Sequence, residues 1–139
     1  MSDFAIRPMS PSDEPFIYKA WLRGYWEHFP GRVIVSEAEF MERWHRVVER
    51  ILADKRTVTV VAHVEGEPDA LLGFACFKGG IDGDGLALHW AYVKQAFRGL
   101  GICSGMLSGV RLHRIISHWP GSDLGEWHFY PELLKEYAE

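Results

Sequence analysis

The residues of this chain that could do chemistry are gathered between positions 86 and 107. An apolar run, Leu86-Ala87-Leu88-His89-Trp90-Ala91-Tyr92-Val93, carries one ionisable side chain, His89. It leads through Lys94-Gln95-Ala96-Phe97 into Arg98-Gly99-Leu100-Gly101, where Ile102-Cys103-Ser104-Gly105-Met106-Leu107 opens a helix. The first N–H groups of a helix lack intrahelical partners, and the helix dipole adds positive potential there, so a strand–loop–helix passage of this kind can hold an anion. Gly99 and Gly101 allow unusual φ angles and close approach of a phosphate to the backbone, and Arg98 adds a fixed positive charge. A lone pair of glycines is equally the mark of a tight turn. The residues around it decide between the two.

The elements that must position this loop can be read from periodicity. Residues 3–8 form a short first strand that Pro8 stops. Ser10, Ser12 and Asp13 offer N-caps to a helix with Phe16, Ile17, Ala20 and Trp21 on one face, and residues 28–32 (HFPGR) break it. Ser36 and Glu39 form a capping box for a second helix, whose apolar face is Phe40, Trp44, Val47, Val48, Ile51 and Leu52. The β-branched run TVTVVAHV, a turn at EGEPD and the run ALLGFACF predict an antiparallel hairpin. A flexible KGGIDGDG loop leads to the buried strand 86–93. A helix is expected over 102–118, ended by Pro120-Gly121, then a strand EWHFY (126–130) and a last short helix from Pro131.

Composition sets the outer bounds. A chain of 139 residues has room for one domain, read here as 1–139. Hydrophobic residues at 47% against 24% charged give a globular balance, with no apolar run of membrane-spanning length and no signal-peptide pattern. Two cysteines, Cys76 and Cys103, make no disulfide framework, which points to a reducing, cytoplasmic setting. The net charge of −4 argues against a nucleic-acid partner and suits a cationic one such as an amine. His113 and His118 miss the i, i+4 helical spacing, so no metal site is expected.

The run VKQAFRGLGICSGML closely resembles the acetyl-CoA signature of the GNAT N-acetyltransferase superfamily, in which the pattern Q/R-x-x-G-x-G/A falls here on Arg98, Gly101 and Cys103. WLRGYW and LHWAYVKQAFRGLGI resemble small GNAT proteins of phages and proteobacteria. The resemblance implies an α/β (α+β) fold, a mixed and mainly antiparallel sheet flanked by helices. It also implies acetyl-CoA as cosubstrate and a primary amine, on a small molecule or a protein, as acceptor. Arg98, Gly99, Leu100, Gly101, Ile102, Cys103 and Ser104 would hold the phosphates, and a backbone N–H near Tyr92 or Val93 would meet the thioester oxygen.

Roles for side chains follow from the same resemblance. His89 sits where arylalkylamine N-acetyltransferases carry one of two paired histidines, and an imidazole with a pKa of ~6.5 can relay a proton at neutral pH. Water or Glu126 could replace it as base, and a structural histidine is the plain alternative. Tyr137 is the candidate acid at the CoA sulfur, with Tyr130 in reserve. Tyr25, Trp26 and His28 would line the acceptor pocket, while Trp21 and Trp44 read as core. Cys103 stands where the family has Gly or Ala, and a helix start should favour its thiolate.

The C-terminus departs from the family, whose final hairpin has no counterpart after EWHFY. A homodimer pairing residues 126–130 is the expected compensation. Two other functions fit the same residues: a GNAT-fold protein that binds CoA or regulates without catalysis, and an acetyltransferase acting on a modified nucleobase amine.

Overall fold

The computed structural model describes residues 3–81, 85–107, 112–116, 128–129, 134 and 137. The β-branched and aromatic runs build one six-stranded sheet in sequential order: β1 (Phe4–Pro8), β2 (Thr57–Val64), β3 (Glu67–Ile81), β4 (Gly85–Val93), β5 (Leu112–Ile116) and β6 (His128–Phe129). The first four strands are antiparallel, whereas β5 joins β4 and β6 joins β5 in parallel. The expected hairpin is β2–β3, turned at Gly66 with φ 82°.

Strand alternation divides the core. Val61, Phe74, Cys76 and Trp90 face helices α1 (Glu14–His28) and α2 (Glu37–Ala53), meeting Ile17, Trp21, Leu22, Tyr25, Phe40, Val47, Val48 and Ile51. Ala62, Leu72, Ala75, Phe77, Leu88 and Val93 face the other way and pack on Ile102 and Met106 of α3 (Ile102–Leu107). The capping box of α2 is formed, with the Glu39 N–H donating to Ser36 Oγ at 3.1 Å and the Ser36 N–H to Glu39 Oε1 at 3.4 Å.

Two expected boundaries move. The sheet takes Lys78 to Ile81 into β3, so much of the expected KGGIDGDG loop is strand. The helix expected over 102–118 is corrected more sharply, because α3 is described over Ile102–Leu107 and Leu112–Ile116 is a strand. The edge of β4 offers the β-branched Ile115 and Ile116 a ladder to join. Of the strand expected at 126–130, the described part is His128–Phe129 in β6. The dimer expected through that run therefore rests mainly on positions outside the described residues.

The entry to α1 is fixed by charge. Arg7 of β1 reaches Asp13 with Nη1 on Oδ2 at 2.7 Å and Nη2 on Oδ1 at 2.9 Å, and Nη2 also donates to the Pro68 carbonyl of β3 at 2.9 Å. The Ser10 N–H adds a bond to Asp13 Oδ2 at 2.8 Å. The Asp13 side chain is 4% exposed, and the bond from Arg7 above all holds its carboxyl below the ordinary value of 3.8. A carboxylate bound in its charged form stabilises the fold fully above that value, and the gain is lost as pH falls through the lower, folded pKa. Asp13→Asn should cost ~2 kcal/mol at neutral pH, as for hydrogen bonds to a charged group. Denaturant titration across the acid range should show the wild-type advantage shrinking below pH 3.8; a constant gap would mean that the pair contributes nothing through charge.

Candidate active site

β4 is held differently along its two edges. Against β3 it pairs from Gly85 to Val93 with two irregularities, one between Lys78 and Ile81 and one where Cys76 lies opposite Trp90 and Phe77 opposite Leu88, so that His89 is an extra residue in a β-bulge. Against β5 the pairing is confined, among the described residues, to Leu86 with Leu112 and Leu88 with Ile116. From Trp90 onward no described residue pairs with that second edge. The Lys94 N–H donates to Leu72 of β3 at 2.8 Å. By the alternation of an antiparallel ladder, Tyr92 then also turns toward β3, and Ala91 and Val93 present their backbone groups to the open edge.

The phosphate-loop residues follow directly. Residues Gln95–Phe97 make a single 3₁₀ turn, and Gly99 and Gly101 adopt φ 82° and 84°. A side chain on either would carry its Cβ into open space, with nothing within 4 Å. The first helical bond runs from the Gly105 N–H to the Gly101 carbonyl at 2.9 Å, which leaves the N–H groups of Ile102, Cys103 and Ser104 ahead of the ladder. Arg98 latches this loop to the strand: its Nε donates to the Val93 carbonyl at 2.8 Å and its guanidinium lies 5.7 Å from the centre of the Tyr92 ring.

Open edge and loop face one cleft of about 1080 Å³. Its floor is Leu88 and Trp90 to Val93, one end is the loop with Arg98, Gly99 and Gly101 to Ser104, and the wall is α1. Phe16, Lys19, Ala20, Arg23, Gly24 and Glu27 supply that wall at helical spacing. The sequence reading missed them, because solvent-exposed charges on an amphipathic helix carry no mark of a site. Gly24 was the available signal, a helix-interior glycine with no capping role. Among the described residues the lining holds four cations (Lys19, Arg23, Lys94, Arg98) and one carboxylate (Glu27), on a protein whose net charge is −4. A cleft of that sign draws in a polyanionic ligand.

The expected site residues divide into three groups. Tyr92, Val93, Arg98, Gly99, Gly101, Ile102, Cys103 and Ser104 all line the cleft, while Leu100 stands 65% exposed at the loop tip and points elsewhere. His89 and Tyr137 come together, but outside the cleft lining. Both are buried, with ring centres 5.8 Å apart. The Tyr137 hydroxyl donates to Asp54 Oδ2 at 2.6 Å, so it is committed to a carboxylate rather than aimed at a leaving thiolate. Lys78 Nζ lies 5.2 Å from the centre of the same ring.

The acceptor-wall expectation is corrected for Tyr25, which is buried between Phe29, Phe40, Trp44 and Trp90. Trp26 packs on Phe40 at 5.1 Å and does not line the cleft. The His28 side chain, Glu126 and Tyr130 lie outside the described residues. Cys103 is exposed on the cleft, yet partial enclosure by its neighbours pushes its thiol pKa up, the reverse of the thiolate preference expected at a helix start.

No protein-family model matches the sequence, and no curated protein matches it. Solved structures do match. A Pyrococcus furiosus protein named as an acetyl transferase superposes with a TM-score of 0.61 at 24% identity, over 75% of this chain and 69% of that one. A GNAT family acetyltransferase from Brucella melitensis, in complex with acetyl-CoA, gives 0.50 at 22% identity over 75% of this chain and 63% of its own. The PaiA N-acetyltransferase from Thermoplasma acidophilum, in complex with coenzyme A, gives 0.50 at 21% over 77% and 68%. Together with the split edge of β4 and the glycine loop beyond it, these likenesses establish that the chain has the fold of the GNAT acetyltransferases.

Proposed function

We propose that this protein is an acetyl-CoA-dependent N-acetyltransferase that transfers the acetyl group to a primary amine by direct attack on the thioester. One observation carries the reading: a strand edge that no described strand pairs beyond Leu88 runs into a loop of two positive-φ glycines at a helix start, both on one cation-rich cleft. The N–H groups of Ile102, Cys103 and Ser104 suit the pyrophosphate, and Lys94 and Arg98 add charge beside it. Leu88 to Val93 spans about 17 Å at ~3.3 Å per residue, a length fitted to an extended pantetheine arm. Such an arm carries amides that can pair with Ala91 and Val93, completing the ladder that β5 leaves unfinished.

The chemistry follows from the geometry. The amine nitrogen attacks the thioester carbon, the C–N bond forms as the C–S bond breaks, and the proton lost by nitrogen balances the charge of the leaving thiolate. A backbone N–H of that edge, at Ala91 or Val93, would donate to the carbonyl oxygen as negative charge develops there. A second reading is a CoA-binding protein without transfer activity. It is favoured by the position of His89 and Tyr137, the two expected proton carriers, away from the cleft. Release of free CoA thiol from acetyl-CoA with any member of an amine panel selects the enzyme; binding without release selects the other.

Two results test the cofactor site itself. A ligand at one hundred times its dissociation constant adds ~2.7 kcal/mol to stability, so acetyl-CoA should raise the melting temperature measurably. Ser104→Glu should erase most of that rise, since its carboxylate competes with phosphate for the same N–H groups. The fold should survive, because an acidic residue in the first turn complements the helix dipole. An unchanged wild-type melt at millimolar CoA would sink the proposal. Thiol labelling gives an independent check. Cys76 is buried, accepts a hydrogen bond from Thr59 Oγ1, and its pKa is pushed up to about 12 by burial. Iodoacetamide should modify Cys103 well before Cys76, and CoA should slow the reaction at Cys103; labelling indifferent to CoA would place the ligand elsewhere.

A further inference from the structure

The wall that α1 gives the cleft has an order along it. Phe16 packs edge-on against Tyr92 at 6.2 Å and receives Lys94 Nζ at 5.5 Å, so this turn of α1 stands beside the phosphate loop. Two turns on, Gly24 stands over Trp90, whose ring lies 3.4 Å from where a Cβ would be. The helix therefore runs antiparallel to β4, and Arg23, Gly24 and Glu27 mark the end of the cleft farthest from the phosphates, over Leu88 and Trp90. An acceptor must enter at that end if the coenzyme occupies the loop end.

Three features there point to a ligand. Arg23 and Glu27 are one helical turn apart and could pair with each other, as opposite charges at i, i+4 commonly do. They do not, and neither side chain has an ion pair or hydrogen bond to another described residue. Glu27 is also the sole carboxylate among the described lining residues. Thirdly, Gly24 sits in the interior of a fifteen-residue helix, where glycine is unfavourable relative to alanine. A Cβ at 24 would meet only ordinary contact distance against Trp90, so packing does not require the glycine. Its missing side chain leaves a gap beside an indole, between a cation and an anion.

We infer that the acceptor is a zwitterionic amine, an α-amino acid with an apolar side chain, whose carboxylate is bound by Arg23, whose ammonium is bound by Glu27, and whose side chain fills the gap at Gly24 over Trp90. This rests on the proposed transferase reading and narrows its acceptor. A diamine or polycation would bring a second positive charge against Arg23 and Lys19, and an uncharged amide would leave Arg23 unmatched.

The test is calorimetry on the CoA-loaded protein with L-leucine, leucine methyl ester and isopentylamine, which share one side chain and one amine and differ at the carboxylate. L-Leucine should bind at least ~10-fold more tightly than either analogue, as one charge-assisted interaction provides. Arg23→Gln should reduce that ratio to less than ~2-fold, Arg23→Lys should restore part of it, and Gly24→Ala should raise the melting temperature while weakening leucine. Thiol release with the same three amines should rank them in the same order. Equal binding of the three compounds, binding of none, or a preference that survives Arg23→Gln overturns the inference. The loss of the melting shift with CoA alone would instead overturn the transferase reading, so the two failures are separable.

Discussion

The cleft exists because β4 keeps one partner and leaves the other. Backbone N–H and C=O groups in a folded protein must find partners or water, and β4 pairs one edge with β3 from Gly85 to Val93, interrupted by two register shifts. The fit on that side is close: a Cβ at Gly73, opposite Val93, would lie 2.3 Å from the Tyr92 carbonyl oxygen, so only glycine allows the strands to meet there. On the other side the last described pair with β5 is Leu88 with Ile116. The bulge at His89 falls directly after that pair. An inserted residue bends and twists a strand locally, and here it lies between the part of β4 that is paired on both edges and the part that offers one edge to a ligand. The loop with Gly99 and Gly101 then begins where the open edge ends.

An open edge is useful only if the opposite wall is rigid, and that wall is set by aromatic packing. Trp21 stacks on Trp90 at 6.4 Å and 8°, while Tyr25 meets Trp44 edge-on at 5.1 Å and Trp90 at 5.6 Å. Each such pair contributes ~0.5–1.5 kcal/mol beyond the area it buries. More important for the site is where the pairs lie. They fix α1 against β4 and α2 together, so the buried face of α1, carrying Ile17, Trp21 and Tyr25, determines which adjacent face looks into the cleft. Arg7 and Asp13 fix the start of the same helix to β1 and β3. Rotation of α1 by one residue would replace Gly24 over Trp90 with a larger side chain.

Much of this was legible in the sequence. The loop, the strand before it and the capped second helix were read from local chemistry, which needs no knowledge of partners: glycines that tolerate positive φ, a capping box, a run of β-branched residues. Tyr25 and Trp26 were misplaced for a different reason. An aromatic residue on an amphipathic helix suits a core and a pocket equally, and only the neighbouring helix decides. Arg23 and Glu27 were invisible because their significance lies in what they fail to do with each other. The strand at Leu112–Ile116 competed with helical continuation from residue 102, and the free edge of β4, a non-local feature, settled the contest.

The same distinction explains Tyr137, which the family resemblance pointed to as an acid and whose contacts are structural. Its hydroxyl donates to Asp54, its carbonyl accepts from Arg50 Nη1 at 2.8 Å, and its ring meets His89 and Lys78. Asp54 also accepts from Arg56 at 3.0 Å, and with that guanidinium first and the tyrosine second its carboxyl is held far below the usual range. Tyr137 thus joins the C-terminal end of α2 to β3 and to the bulge of β4 at its extra residue. A bulged residue has lost its place in the ladder and needs side-chain packing to hold its conformation. His89, fully buried against Tyr137, receives that packing outside the cleft lining. Both residues thereby fix, without lining the cleft, the point beyond which β4 has no described partner on its second edge.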